Sequence, residues 1–210
     1  MAASEWFRNT SWNEVIASAF ESKLKRARDK SQYLCIQAYY LALTHPQVAL
    51  DLLDRYFSLG KQSHHAAAYV SRAAASLALN DMEMAVQSYE SAIRHETAFP
   101  GHITGARLDL PYLIAVENLS HLFDRALVIL MDANKNLIFP VQRFKFHASK
   151  AIIFAHRQND DSAQAEARLA IDNASLDRSG FRYHSKLGLV SDDHTKALSK
   201  LYGLLASRVQ

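Results

Sequence analysis

Cysteine occurs once in the 210 residues, at Cys35, so no internal disulfide can form and a zinc centre built on thiolates is excluded. With 6 glycines and 4 prolines, the chain has little material for many turns or for a disordered linker. No stretch approaches the ~18 apolar residues of a membrane span. Met1 to Asn13 lacks the charged start and apolar run of a secretory leader, so a soluble, reducing, cytoplasmic setting is expected. A surplus of charge is also lacking. The formal +3 is too small to imply nucleic acid without a concentrated basic face. Glycine-rich phosphate loops are missing because the glycines are spread singly, and there is no Gly-x-Ser-x-Gly elbow for a nucleophile.

What is present is a hydrophobic content of 49%, enough for one sizeable core or for an elongated stack of helices with a continuous one. Apolar residues recur at helical spacing through most of the chain, so the expected class is all-α. A first helix is expected from Ser11, where Ser11-Trp12-Asn13-Glu14 has capping-box spacing, with Val15, Ile16, Phe20 and Leu24 on one face. It ends in KLKRARDK. Lys23, Lys25, Arg26, Arg28 and Lys30 read either as a contact for an acidic or phosphate partner or as a solvated helix end favoured by the helix dipole.

A second helix is expected from about Ser31, carrying Tyr33, Ile36, Tyr40 and Leu43, and stopping near His45 because Pro46 follows. Pro46 then opens a third helix, through Ala49, Leu52, Leu53, Tyr56 and Phe57, which Gly60 stops. The clearest hairpin runs from Ala66 to Pro100. Its apolar spacing passes through Tyr69, Ala73 and Leu77, breaks at Asn80-Asp81, and resumes through Ala85, Tyr89, Ala92 and Ile93. Asn80 and Asp81 suit a turn whose short side chains then accept from the exposed amides of the next helix.

Thr97 to Asp109 marks an irregular joint, after which helix resumes near Pro111 and a loop returns at Ala133 to Pro140 around Asn134 and Asn136. A last hairpin spans roughly Val141 to Ser175, turning at Gln158-Asn159-Asp160-Asp161. The final helix, about Asp193 to Ser207, carries Ala197, Leu198, Leu201, Leu204 and Leu205.

At Tyr69, Ala73, Ala85, Tyr89 and Pro100 the central hairpin resembles a tetratricopeptide repeat, although Arg72 and Ser76 stand where Leu and Tyr are usual. Ala49, Ala85, Ala126 and Ala163 mark equivalent positions, spaced more widely than the family period of ~34 residues. The resemblance covers residues 31–175. It implies a single domain over residues 1–210: a right-handed helical-hairpin solenoid of about four repeats. Residues 1–30 and 176–210 would flank and cap it.

Such solenoids bind through the concave face, lined by the first helix of each hairpin. The resemblance puts Leu34, Ala38, Leu41, Val70, Ala74, Leu77, Lys145, Ala148 and Ile152 there. Most are apolar, which suits an amphipathic helix of a protein partner better than a carboxylate. The resulting expectation is a non-enzymatic protein- or peptide-binding adaptor, with no cofactor, metal or membrane. The alternative is a self-assembling homodimer with a ligand or anion site at Arg182, Tyr183 and His184, where basic and aromatic residues alternate. The ten histidines supply no metal-ligand spacing: His64 and His65 are adjacent, and His147 and His156 are more than one turn apart.

Overall fold

The structure, a computed structural model, describes residues 5–60, 64–133 and 137–206. Among these residues the chain forms ten α-helices, two short 3-10 turns and no strand, so the all-α expectation holds. The expected turn formers Asn134 and Asn136 lie outside the described residues. No helix of the described residues is long and apolar enough to cross a membrane. Two compact units, residues 1–106 and 107–210, account for the packing and are taken in turn. Their boundary falls within the irregular joint that the glycines and Pro100 mark.

The described part of the first unit begins with an irregular segment, residues 5–13, which turns at Trp6-Phe7, and α1 (Glu14–Arg26). Helix α1 starts three residues later than the Ser11 capping box suggests. Asn13 takes the cap instead, its Oδ1 accepting from the Ile16 amide at 3.0 Å. The segment before it is held elsewhere. Helices α2 (Lys30–Leu41) and α3 (Pro46–Ser58) form one hairpin and α4 (His65–Ala78) and α5 (Met82–Ala98) the next, with α4 packed on both α2 and α3. Pro46 stands at the start of α3, where its missing N–H costs no helical bond. The Asn80-Asp81 turn forms as its residues suggest. Asn80 takes φ of 60°, and Asp81 accepts from the Met84 amide at 3.0 Å. Ala73, Ala85 and Ala92 are fully buried, and at those places the two backbones approach closely.

The core of this unit gathers Phe20 and Leu24 of α1, Leu34, Ala38 and Leu41 of α2, Leu52, Leu53 and Tyr56 of α3, and Ala68 and Ala75 of α4. Against its open end lie Trp6, Phe7, Trp12 and Tyr33, with the Trp6 ring 4.7 Å from that of Tyr33 and 5.3 Å from that of Phe20. One polar side chain is buried in the middle of α2. Gln37 is fully covered: its Oε1 accepts from the Asn9 backbone amide (3.1 Å) and side-chain Nδ2 (2.8 Å), while its Nε2 donates to the Asn9 carbonyl (2.8 Å). The N-terminal segment is thereby pinned to α2. It joins α1 in covering the apolar end that the first hairpin would expose.

The second unit comprises α6 (Ala106–Val116), α7 (Phe123–Ala133), α8 (Pro140–His156), α9 (Asp160–Ala174) and α10 (Thr195–Ala206). Helix α6 begins before Pro111 rather than at it. Pro111 is buried inside the helix, where it has no N–H for the preceding turn and exchanges that bond for apolar contact. Helices α8 and α9 make the expected hairpin. Gln158 adopts φ of 59°, and Asn159 caps α9 by accepting from the Ser162 amide at 3.3 Å. Helix α10 packs across both. Gly188 has a positive φ of 71°, and a Cβ there would come within 2.4 Å of the Phe139 ring. The loop can therefore pass over the start of α8 only with glycine at this place.

Gln37→Ala should lower stability by about 1–3 kcal/mol, because it leaves the Asn9 donors and carbonyl buried without their partner. Urea unfolding measures this directly. A loss below about 0.5 kcal/mol would show that water replaces the glutamine there.

Candidate functional site

A pocket of about 300 Å³ opens in the first unit between α2 and α4, the leading helices of its two hairpins. Helix α2 contributes Gln32, Cys35, Ile36 and Tyr39, α4 contributes Ala67, Val70 and Ser71, and His64 and Thr104 close the ends. Its walls are mainly apolar. Tyr39 is 66% exposed at the rim and Ile103, beside Thr104, is 78% exposed, so large hydrophobic side chains stand in solvent around an apolar opening. Cys35 is 6% exposed, and burial raises its thiol pKa to about 11, which leaves it neutral and a weak nucleophile at ordinary pH.

Thr104 is fixed by a buried carboxylate. Glu96 of α5 accepts from both the amide (2.8 Å) and the hydroxyl of Thr104, which in turn accepts from the Ala106 amide. The irregular joint is therefore tied back onto α5, and that tie shapes one end of the pocket.

The residues expected in a groove divide into two groups. Val70 lines the pocket, and Ala74 and Leu77, on the same helix, are half-buried. Leu34, Ala38 and Leu41 do not present themselves to a partner, since all three sit in the core at 3% exposure or less. The side of α2 that borders the pocket instead carries Gln32, Ile36 and Tyr39, with Cys35 buried behind them. In the second unit, Ala148 and Ile152 are buried as well. Lys145 is half-buried, donates to Asp109 at 2.7 Å and lies 5.6 Å over the Tyr112 ring, so its charge is already engaged.

Arg182, Tyr183 and His184 are exposed together on the loop after α9. The Arg182 guanidinium lies 5.5 Å over the Tyr183 ring, and Tyr183 is 83% exposed. Phe181, beside them, is also exposed and stacks on Phe139 with ring centroids 5.2 Å apart. Among the described residues, no group of three or more His, Cys, Asp or Glu side chains is placed to hold a metal ion.

Polar clusters elsewhere tie helices together. Glu166 of α9 accepts from His147 (2.6 Å) and Lys150 of α8. Burial alone would raise its pKa, but those two bonds and the nearby Lys150 charge outweigh burial and hold it below its ordinary value. The Tyr112 hydroxyl is 2.8 Å from His194 Nδ1, and burial and then Lys145 push His194 below its ordinary value.

Histidines form the most unusual arrangement in the first unit. The rings of His65, His95 and His102 follow one another at 5.4 and 5.6 Å, and His95 Nε2 lies 3.4 Å from His102 Nδ1. Burial, then His65 and His102, lower the His95 pKa from its ordinary 6.5. The unfolded chain therefore takes up protons first on acidification, and stability contributed above pH ~6.5 is lost as pH falls toward the folded value. His194 titrates in the same direction, whereas Glu166 loses its contribution only below its ordinary 4.5. The urea midpoint should accordingly fall in two stages between pH 7.5 and 3.5. His95→Gln should flatten the upper stage, and an unchanged upper stage in that variant would show that the histidine column carries no linkage. Comparison with protein-family models, curated proteins and solved structures finds no match to this chain.

Proposed function

We propose that the first unit is a docking module that receives an apolar side chain from an amphipathic helical segment of another protein in the α2–α4 pocket. The observation that carries this reading is the pocket itself. An apolar cavity of about 300 Å³, rimmed by an exposed tyrosine and bounded by two adjacent helices, has the size and chemistry of a hydrophobic side-chain receptor. The polar groups around it are few: Gln32, His64 and Thr104 can satisfy a backbone or orient a helix, and the buried Ser71 hydroxyl is already used, donating to the Ala67 carbonyl at 3.0 Å.

The arrangement supports the tetratricopeptide resemblance as well. Two successive hairpins meet through small buried alanines, and the opening lies on their leading helices, the side from which such repeats bind. On this reading the role is binding rather than catalysis. The neutral Cys35 thiol fits that role as part of the floor.

The test is titration with a panel of amphipathic peptides about four turns long, each presenting Leu or Phe on one face, with circular dichroism on every variant. At least one peptide should bind at about micromolar affinity. Val70→Glu and Ala67→Glu should each weaken it tenfold or more without changing helicity, because an unpaired charge would enter the apolar opening. Equal binding by the parent and both variants would contradict the site. Self-assembly that disappears in Val70→Glu would identify a second copy as the occupant and replace this reading.

A further inference from the structure

Cationic side chains of the first unit are mostly matched. Arg55 of α3 makes two bonds to Glu21 at 2.6 and 3.0 Å, Arg8 meets Glu5 at 2.8 Å, and Arg72 meets Asp54. The run around the end of α1 departs from this. Lys23, Lys25, Arg26, Arg28 and Lys30 are all exposed, and among the described residues none pairs with a carboxylate. Asp29, in their midst, is used locally: it accepts from the Ser31 hydroxyl at 2.6 Å and the Gln32 amide at 3.3 Å to cap α2.

The helix dipole accounts for part of this run. Lys23, Lys25 and Arg26 lie in the last turn of α1, where cations are favoured. It does not account for the rest. Arg28 lies beyond the extended Ala27 that ends α1, and Lys30 is the first residue of α2, where the partial positive charge of a helix start disfavours a cation. Local structure therefore gains nothing from Lys30.

A second, independent feature adjoins this run. A crevice of about 250 Å³ lies between the N-terminal segment and α1, with Glu5, Trp6 and Asn9 on one side, Val15, Ile16 and Phe20 on the other, and Lys23 at its far end; the Glu5 carboxylate is engaged by Arg8 at 2.8 Å. Val15 is 78% exposed. The crevice and the cationic run thus share Lys23, and Arg26 continues that line one turn further along α1, whereas Lys25 projects from the other side of the helix. From Val15 to Arg26 that line is roughly 16 Å, the reach of about five extended residues.

We propose that this corner is a docking site for an acidic peptide segment carrying one large apolar side chain. The apolar residue fills the crevice against Trp6 and Val15. Carboxylates within about five residues of it lie over Lys23, Arg26, Arg28 and Lys30. This site is separate from the α2–α4 pocket and does not depend on its role.

The experiment uses the full chain and a labelled peptide with one Phe beside four Glu, followed by fluorescence anisotropy and, in a Trp12→Phe background that leaves one tryptophan, by Trp6 emission. Affinity should fall severalfold as salt rises from about 50 to 300 mM, since the charges are exposed and screened. Arg28→Glu with Lys30→Glu should weaken binding at least tenfold. Val15→Glu should do the same and abolish the Trp6 change, and so should replacing the Phe of the peptide with Ser. Arg125→Glu, in the second unit, should leave binding unchanged. Three results would overturn the proposal: full affinity in the reversed-charge variant, full affinity for the peptide without Phe, or preference for duplex DNA or phosphatidylserine vesicles over the peptide. The last would assign the cations to phosphates and leave the crevice without a role.

Discussion

The burial of α2 on more than one side is the constraint on which the first unit depends. Its residues meet α3 and α4 through Leu34, Ala38 and Leu41, and the N-terminal segment through Tyr33 and Gln37. A helix packed so extensively has a single strip left for solvent, and here that strip carries Gln32, Ile36 and Tyr39, with Cys35 buried beneath it. Gln37 fixes the rotation. A buried amide with three bonds to one partner residue cannot turn without losing them, and each lost bond would leave a desolvated group. The pocket is thus a by-product of how α2 is held, rather than a cavity lined by residues selected one at a time.

The second unit follows a different logic. Its pairings are ionic or mixed: Glu166 with His147 and Lys150, Lys145 with Asp109, Lys196 with Glu117, and Tyr112 with His194. Several of these groups are half-buried, where a hydrogen-bonded pair fixes geometry more than it adds stability. Helix α10 is held by Lys196 and by Lys200, which donates to the Val116 carbonyl at 2.8 Å. Bonds of this kind set which helix ends meet, and the alanines of α9 then allow close approach.

Helices and turns were legible in the sequence because they depend on neighbours. Pro46, Asn80-Asp81 and Asn159 stop or start helices through their own backbone and side-chain chemistry, and each does so where its residue type predicts. Ser11 misled because two residues within hydrogen-bonding reach of a helix start were available, and the longer N-terminal segment is claimed by Gln37 instead. The groove was only half legible. Helix α4 is polar or small on its outer face, so Val70 could be placed, whereas α2 is apolar nearly all round and its periodicity does not say which stripe faces the core. Gln37 was the available clue. A lone amide among apolar residues suggests exposure, yet here it marks the side on which the N-terminal segment lies. Thr104 could not be found from spacing at all, because a fold of the joint and a buried Glu96 bring it to the pocket.

The most direct test of the central claim, that Cys35 forms the floor of an open but narrow apolar pocket, is the rate at which its thiol is alkylated. N-ethylmaleimide should modify the native protein slowly but measurably, a bulky dye-linked maleimide should be excluded, and Ala67→Trp should suppress the first reaction by filling the opening. Equal rates for both reagents, with no effect of Ala67→Trp, would contradict the account. Such a result would place Cys35 on an open surface or make it reachable only through unfolding.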